Sequence, residues 1–178
     1  MKLLFVCTGN ICRSPVAERL ATAYGARHGV PNWSASSAGT RAVIRSPMHP
    51  EAASVLQRLG GDPSGFLARQ LSAKIALGAD LVLTMTAQHR DRVLELAPSL
   101  MRRTFTLSEA SHMASEWSVR SVAEMAELRS QIDACHRLDI ADPIGQAPDV
   151  FNVVMSQIAQ LTQPIFEICL HSSNRSEA

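Results

Sequence analysis

The sequence predicts an α/β fold built on a parallel sheet, and two observations carry that expectation. Apolar runs at residues 2–6 and 80–85 are short and nearly continuous, the pattern of strands buried on both faces of a parallel sheet. Between and after them lie segments whose apolar residues recur every three or four positions, so strands alternate with helices along the chain.

The first run, Lys2-Leu3-Leu4-Phe5-Val6, reads as a strand that stops shortly before Gly9. Ser14-Pro15 then opens a helical pattern in which Val16, Leu20, Ala23 and Tyr24 share one face toward Gly25, with Ser14 available as N-cap and Pro15 at the first helical position. A second strand is predicted over 33–37, closed by Ala38-Gly39-Thr40, after the helix-ending Gly29 and Pro31. Ala52, Val55, Leu56 and Leu59 make the next helical stripe, stopped by Gly60-Gly61.

The run at 80–85 is the third strand, followed by a polar-faced helix over 86–96 and a short strand over 104–107. Residues 108–137 are mostly polar, yet Val119, Val122, Met125, Leu128 and Ile132 recur at helical spacing, and Ser121 with Glu124 has the form of a capping box. A surface helix or helical pair is expected there, enlarging a single domain over 1–170. A loop follows at Asp139-Ile140-Ala141-Asp142-Pro143-Ile144-Gly145-Gln146, and a last helix near Pro148-Asp149 turns Val150, Val154, Ile158 and Leu161 inward. Pro164 is expected to kink or end that helix, and the tail 171–178 to fray.

Composition excludes several classes. No segment approaches the roughly 20 apolar residues of a membrane span, and the apolar start of the chain is too short for a signal peptide, so a cytoplasmic protein is the default. The four cysteines, at 7, 12, 135 and 169, have neither the density of a disulfide framework nor the pairing of a zinc site, so reduced thiols and no metal are expected. Residues 1–103 hold 13 Lys/Arg against 6 Asp/Glu, and residues 104–178 hold 4 against 10. That split predicts either attraction between the two halves or a basic face for an anionic substrate. Nucleic acid is disfavoured, because no basic run or interleaved aromatics occur.

The chemistry concentrates in Cys7-Thr8-Gly9-Asn10-Ile11-Cys12-Arg13-Ser14. A loop between a parallel strand and a helix N-terminus aims successive backbone N–H groups at one point and adds the positive end of the helix dipole, which suits phosphate. Thr8, Gly9, Asn10, Ile11, Cys12 and Ser14 would make that cradle, with Gly9 permitting a tight backbone and Asn10 tolerating positive φ. The same N–H groups favour a thiolate at Cys7, whose free pKa is about 8.5. Arg13 supplies a planar fork for two phosphate oxygens. Ser14 either caps the helix or donates its hydroxyl to the Cys7 sulfur.

Thiolate attack on a phosphate ester expels an oxygen that needs a proton. Asp142, aimed by the rigid Pro143, is the candidate acid. Asp139 and Asp149 compete with it, Asp149 more simply as a helix cap.

These residues together, Val6 through Pro15 early and Ala141-Asp142-Pro143 late, resemble the low-molecular-weight protein tyrosine phosphatases, as do Ser37-Ala38-Gly39-Thr40 and Ala68-Arg69-Gln70-Leu71. The resemblance spans residues 1 to about 107 and resumes from about 139 to 170. It implies a four-stranded parallel sheet with helices on both faces, and the phosphate loop after strand 1. It implies no cofactor, Cys7 as nucleophile, Arg13 as phosphate clamp, Asn10 and Ser14 as loop support, and Asp142 as acid then base. The expected substrate is a phosphorylated protein, most simply phosphotyrosine, hydrolysed through a phosphocysteine. By the same resemblance Cys12 is either a redox guard, pairing reversibly with Cys7, or a small buried filler.

The chain departs from the family in three places. Ile144 stands where an aromatic residue often follows Asp-Pro, Phe66 stands where a loop-supporting histidine is common, and 108–137 is an addition. Rival readings follow from related chemistry: an arsenate reductase using an external thiol, a protein-arginine phosphatase, or a non-catalytic phosphate-binding module. Leu83, Thr84 and Met85 offer no thiol for an internal relay, and the apolar Ile11 favours a phenyl ester.

Overall fold

The computed structural model describes residues 1–133 and 138–175, with side chains in the last helix described as far as residue 170. A four-stranded parallel sheet runs in the order β2-β1-β3-β4, comprising β1 (Lys2–Cys7), β2 (Ser34–Gly39), β3 (Leu81–Thr84) and β4 (Thr104–Thr106). The helices are α1 (Arg13–His28), α2 (Pro50–Arg58), α3 (Ala73–Leu77), α4 (Ala87–Leu96), α5 (Leu107–Glu116), α6 (Val122–Leu128) and α7 (Pro148–Arg175). The predicted fold class and all four strands are present.

β1 is central, pairing from Lys2↔Ser34 to Cys7↔Gly39 on one side and from Leu3↔Leu81 to Val6↔Thr84 on the other. Its alternation divides the core. Leu3, Phe5 and Cys7 join a cluster with α1, α2, α5, α6 and α7, while Leu4 and Val6 face Leu71, Ala76, Val93 and Leu100 from the α3–α4 side. Helices therefore cover both faces, which is why β1 reads as a continuous apolar run. The chain leaves β1 toward β2, then crosses back to place β3 on the other flank, so a crevice opens at the carboxyl end of β1.

Several local expectations are corrected. α1 starts at Arg13, with Cys12 at the N-cap and no side-chain cap, so Ser14 is not the cap and Pro15 sits two residues inside the helix. The helix runs through Gly25 to His28 and ends on left-handed Gly29. Gly25 is needed for proximity, since a Cβ there would lie 2.2 Å from the Trp33 ring. α7 continues past Pro164, which removes one backbone donor but leaves Ile158, Ile165, Phe166 and Cys169 buried on either side of it. The helix persists through Arg175, and residues 176–178 lie outside the described part.

Residues 107–128 form two helices, the helical pair of the two expected forms, and their apolar faces are buried. Leu107, Ala110, Met113 and Met125 are fully buried in the core that contains α7. Thr106 accepts from Glu109 N at 3.2 Å while Glu109 Oε2 accepts from Thr106 N at 2.9 Å, a complete capping box. At α6 the box is shifted: Ser121 accepts from Glu124 N, but the Glu124 carboxylate accepts from Arg120 N at 2.8 Å. Buried Glu109 also lies 3.4 Å from Arg90, where the basic half of the chain meets the acidic half, and 3.6 Å from Arg129 of its own half. Residues 134–137, the end of the segment read as an enlargement, lie outside the described residues.

Candidate active site

The loop after β1 owes its shape to a strap of chain between β2 and α2. Thr40 N donates to Cys7 O at 2.9 Å, Arg41 N to Thr8 O at 3.0 Å, Val43 N to Gly9 O at 2.9 Å and His49 N to Ile11 O at 2.8 Å. In a trans peptide the carbonyl of one residue and the N–H of the next point in opposite directions. Pulling those four carbonyls outward therefore turns the amides of Thr8, Gly9, Asn10 and Cys12 inward, toward one concave side. The result is an anion cradle at the start of α1. Gly39 permits the close approach, because a Cβ there would lie 2.5 Å from Thr8 O.

The left-handed residue of the loop is Asn10, at φ 55°, and Gly9 is not among the positive-φ positions. A hypothetical Cβ at Gly9 would meet Ile11 and Val43 at ordinary contact distance, so the expected need for glycine there is shown neither by φ nor by crowding. Asn10 is fully buried. Its Oδ1 accepts from Arg69 N at 2.8 Å, which fixes the amide so that Nδ2 donates to Ser14 Oγ at 3.0 Å and Ser37 Oγ at 2.8 Å. Ser37 in turn donates to Glu18 Oε2 at 2.6 Å, and burial raises the Glu18 pKa above its usual range. Ser14 Oγ accepts from Asn10 and keeps its own hydrogen available for Cys7 Sγ, 3.0 Å away. Of the two uses open to Ser14, the structure takes the bond to sulfur.

Phe66 is buried beneath the Arg19 guanidinium, 5.8 Å from ring centre to Cζ. The loop is thus supported by the Glu18–Ser37–Asn10–Ser14 chain rather than by a side chain at position 66.

Arg13 is 3% exposed and spans the site. Nη1 donates to Ile140 O at 2.9 Å, and Nη2 donates to Asp142 Oδ2 and, at a longer 3.5 Å, to Thr8 Oγ1. Asp142 Oδ1 accepts from Ile144 N at 3.3 Å, and its side chain remains 45% exposed, open to proton exchange. The rivals for its role are placed elsewhere. Asp139 Oδ1 accepts from Ala87 N at 2.7 Å at the start of α4, and Asp149 lies in the first turn of α7.

These groups line a cleft of about 380 Å³ formed by Cys7, Thr8, Gly9, Ile11, Cys12, Arg13, Arg41, Val43, Asp142 and Ile144. Every site residue read from the sequence meets here except Asn10 and Ser14, which stand behind the loop. Ile11, Val43 and Ile144 give it aliphatic walls. Cys12 is buried, and its thiol is pushed up to about 12 by burial first and by neighbouring Cys7 and Asp142 next, with Arg13 opposing. Cys7, Cys12 and Cys169 are free thiols. Among the described residues no cluster of three or more His, Cys, Asp or Glu has the form of a metal site.

Arg41 and Val43 in the cleft wall, Glu18 behind the loop and His89 are not marked by any signal in the sequence. His89 is buried behind the loop with Nε2 2.9 Å from Thr8 Oγ1 and Nδ1 2.9 Å from Thr86 Oγ1.

Comparison with known proteins agrees with this geometry. The family model for low molecular weight phosphotyrosine protein phosphatase matches residues 2–121. The Escherichia coli K12 protein-tyrosine-phosphatase Etp is 36% identical over 107 residues, 60% of this chain and 69% of its own length. The crystal structure of the low molecular weight protein tyrosine phosphatase from T. tengcongensis superposes with a TM-score of 0.75 at 30% identity, covering 94% of this chain and 98% of that one. The YwlE arginine phosphatase of Geobacillus stearothermophilus superposes with a TM-score of 0.71 at 30% identity, covering 93% and 90%. With four parallel strands, a cysteine at the mouth of the loop and a family match over most of its length, the chain belongs to the low molecular weight phosphotyrosine protein phosphatases, a family of hydrolases.

Proposed function

We propose that this enzyme hydrolyses phosphotyrosine in proteins, with Cys7 as nucleophile, Arg13 as phosphate clamp and Asp142 as acid and then base. The observation that carries the reading is the guanidinium of Arg13, held by Ile140 O on one side and shared between Thr8 and Asp142 on the other. It marks the place where a phosphate would sit, between sulfur and carboxyl.

In the first step the Cys7 sulfur attacks phosphorus in line with the departing ester oxygen, the inward amides and Arg13 hold the equatorial oxygens, and Asp142 gives its proton to the leaving oxygen. In the second step Asp142 takes a proton from water as that water attacks the phosphocysteine. Sulfur then leaves as thiolate, stabilised by the Ser14 hydroxyl.

The walls bear on the substrate. A phenyl ring placed between Ile11, Val43 and Ile144 makes apolar contact throughout, whereas a phosphoarginine would bring polar N–H groups against the same aliphatic carbons, with the Asp142 carboxylate as the acceptor nearby. Ile144 supplies dispersion contact where an aromatic residue would stack. The three free, buried thiols suit a reducing compartment, and no helix among the described residues is long and apolar enough to cross a membrane.

The test is hydrolysis of an aryl phosphate and of phosphotyrosine and phosphoarginine peptides by the purified protein, beside Cys7→Ser. Expected are turnover of the aryl and phosphotyrosine substrates and its loss in Cys7→Ser. Undiminished activity in Cys7→Ser sinks the mechanism, and faster turnover of phosphoarginine sinks the substrate assignment.

A further inference from the structure

His89 sits at the third residue of α4, directly behind the phosphate loop, and is 4% exposed. Two threonines flank its ring. Thr86, the N-cap of α4, accepts from the His89 backbone N–H at 3.1 Å, and its hydroxyl lies 2.9 Å from Nδ1, to which it can donate. A neutral imidazole whose Nδ1 accepts carries its proton on Nε2. That proton faces Thr8 Oγ1, 2.9 Å away. The neutral form is secured because burial first and Arg13 next push the His89 pKa down to about 4, with Arg41 adding to the effect and Asp139 and Asp142 opposing it.

The direction of these bonds has a consequence at Thr8. Its oxygen accepts from His89, so its own hydroxyl hydrogen is left for another acceptor. Arg13 Nη2 lies 3.5 Å from the same oxygen, and Nη2 is the nitrogen that also reaches Asp142. A phosphate oxygen held by Nη2 therefore comes within reach of the Thr8 hydroxyl.

We propose that the Thr8 side chain is an additional hydrogen-bond donor to the transferring phosphoryl group, and that His89 is the positioning residue that aims it. The main-chain amide of Thr8 belongs to the cradle already described; the hydroxyl is a separate, directional contact that the backbone alone does not supply. The inference rests on the phosphatase reading of the cleft. Because the phosphoryl oxygens are present with every substrate, the contact acts on all leaving groups alike, unlike the proton delivered by Asp142.

The experiment compares Thr8→Val, His89→Ala, His89→Gln and the Thr8→Val/His89→Ala double variant with wild type. The readouts are kcat/KM on aryl phosphates of good and poor leaving groups, and inorganic phosphate affinity by calorimetry. Thr8→Val and His89→Ala are each expected to lower kcat/KM by about tenfold for both leaving groups and to weaken phosphate binding. The double variant is expected to be no worse than the weaker single, and His89→Gln, whose side-chain amide can still donate, to recover part of the loss. Wild-type kcat/KM and phosphate affinity in Thr8→Val, or losses that multiply to about a hundredfold in the double variant, overturn the proposal. So does a His89→Gln variant as poor as His89→Ala. Thr8→Val has nearly the shape of threonine, so it decides the matter even if His89→Ala fails to fold. Failure of the phosphatase reading itself shows separately, as wild type without Cys7-dependent turnover.

Discussion

Arg13 and Asp142, 129 residues apart in the chain, meet through Arg13 Nη2 and Asp142 Oδ2, while Nη1 of the same guanidinium stays on Ile140 O. One arm of the fork is anchored to the Asp142-bearing loop and the other is exchangeable. On the proposed mechanism, a phosphate dianion entering the cradle takes Nη2 from Asp142 and leaves the carboxyl beside the ester oxygen.

Arg13→Lys is accordingly expected to fold, keep its charge and lose both arms of that fork. A single ammonium cannot hold Ile140 O and a phosphate oxygen together in this geometry. Steady-state kinetics on an aryl phosphate should show kcat/KM reduced by about 10²-fold or more, and a reduction under threefold would show that the planar fork is unnecessary.

Asp142→Ala and Asp139→Ala separate chemistry from capping. The first should cut turnover by about 10²-fold or more for poor leaving groups and less for good ones, with little change in thermal stability. Asp139→Ala removes the acceptor for Ala87 N and should cost about 0.5–2 kcal/mol in denaturant unfolding, with activity largely retained. If the two phenotypes were exchanged, the acid would have been misassigned.

Selective alkylation follows from the thiols. Cys12 and Cys169 are both raised to about 12, chiefly by burial, so neither offers appreciable thiolate near pH 7. Peptide mapping after brief iodoacetamide treatment should find Cys7 modified and these two intact. Labelling of Cys12 as fast as Cys7 would contradict the arrangement.

The buried ring of His89 predicts a pH dependence of stability. It takes up a proton near 4 in the folded chain against 6.5 for an unperturbed histidine, so between those values the unfolded state binds more protons than the folded one. Its contribution to stability is fully present above about pH 6.5 and is lost as the pH falls toward 4. Urea midpoints measured from pH 7 to pH 4 should decline less steeply in His89→Gln than in wild type, and parallel curves would refute the assignment.

Much of the fold is legible in the sequence because its signals are local. A continuous apolar run marks β1, a glycine-containing loop and Ser-Pro mark the entry to α1, and a proline after Asp142 marks an aimed carboxyl. Helix ends were harder to read. Gly29 ends α1 as expected, whereas Pro164, expected to kink or end α7, does not end it, because the residues on both sides of it are buried in the core. The segment after β4 looked polar enough for the surface, yet Leu107, Ala110 and Met113 point into the core at a spacing that the surrounding polar residues concealed.

By itself the sequence determined the fold class and which residues are candidates for the chemistry: a cysteine and an arginine six residues apart at a strand-to-helix turn, and a late aspartate followed by proline. These are facts of residue type and short spacing, and short-range geometry suffices to relate them. The tertiary structure alone decided how hydrogen bonds are directed around the loop. Strap amides from residues 40–49 pull the loop carbonyls outward, Asn10 is oriented by Arg69, Ser14 is thereby turned to sulfur, and His89 is brought from α4 to Thr8. The physical reason is that a hydrogen bond's direction depends on which peptide plane or hydroxyl faces it, and those orientations are set by sheet register and by contacts dozens of residues apart.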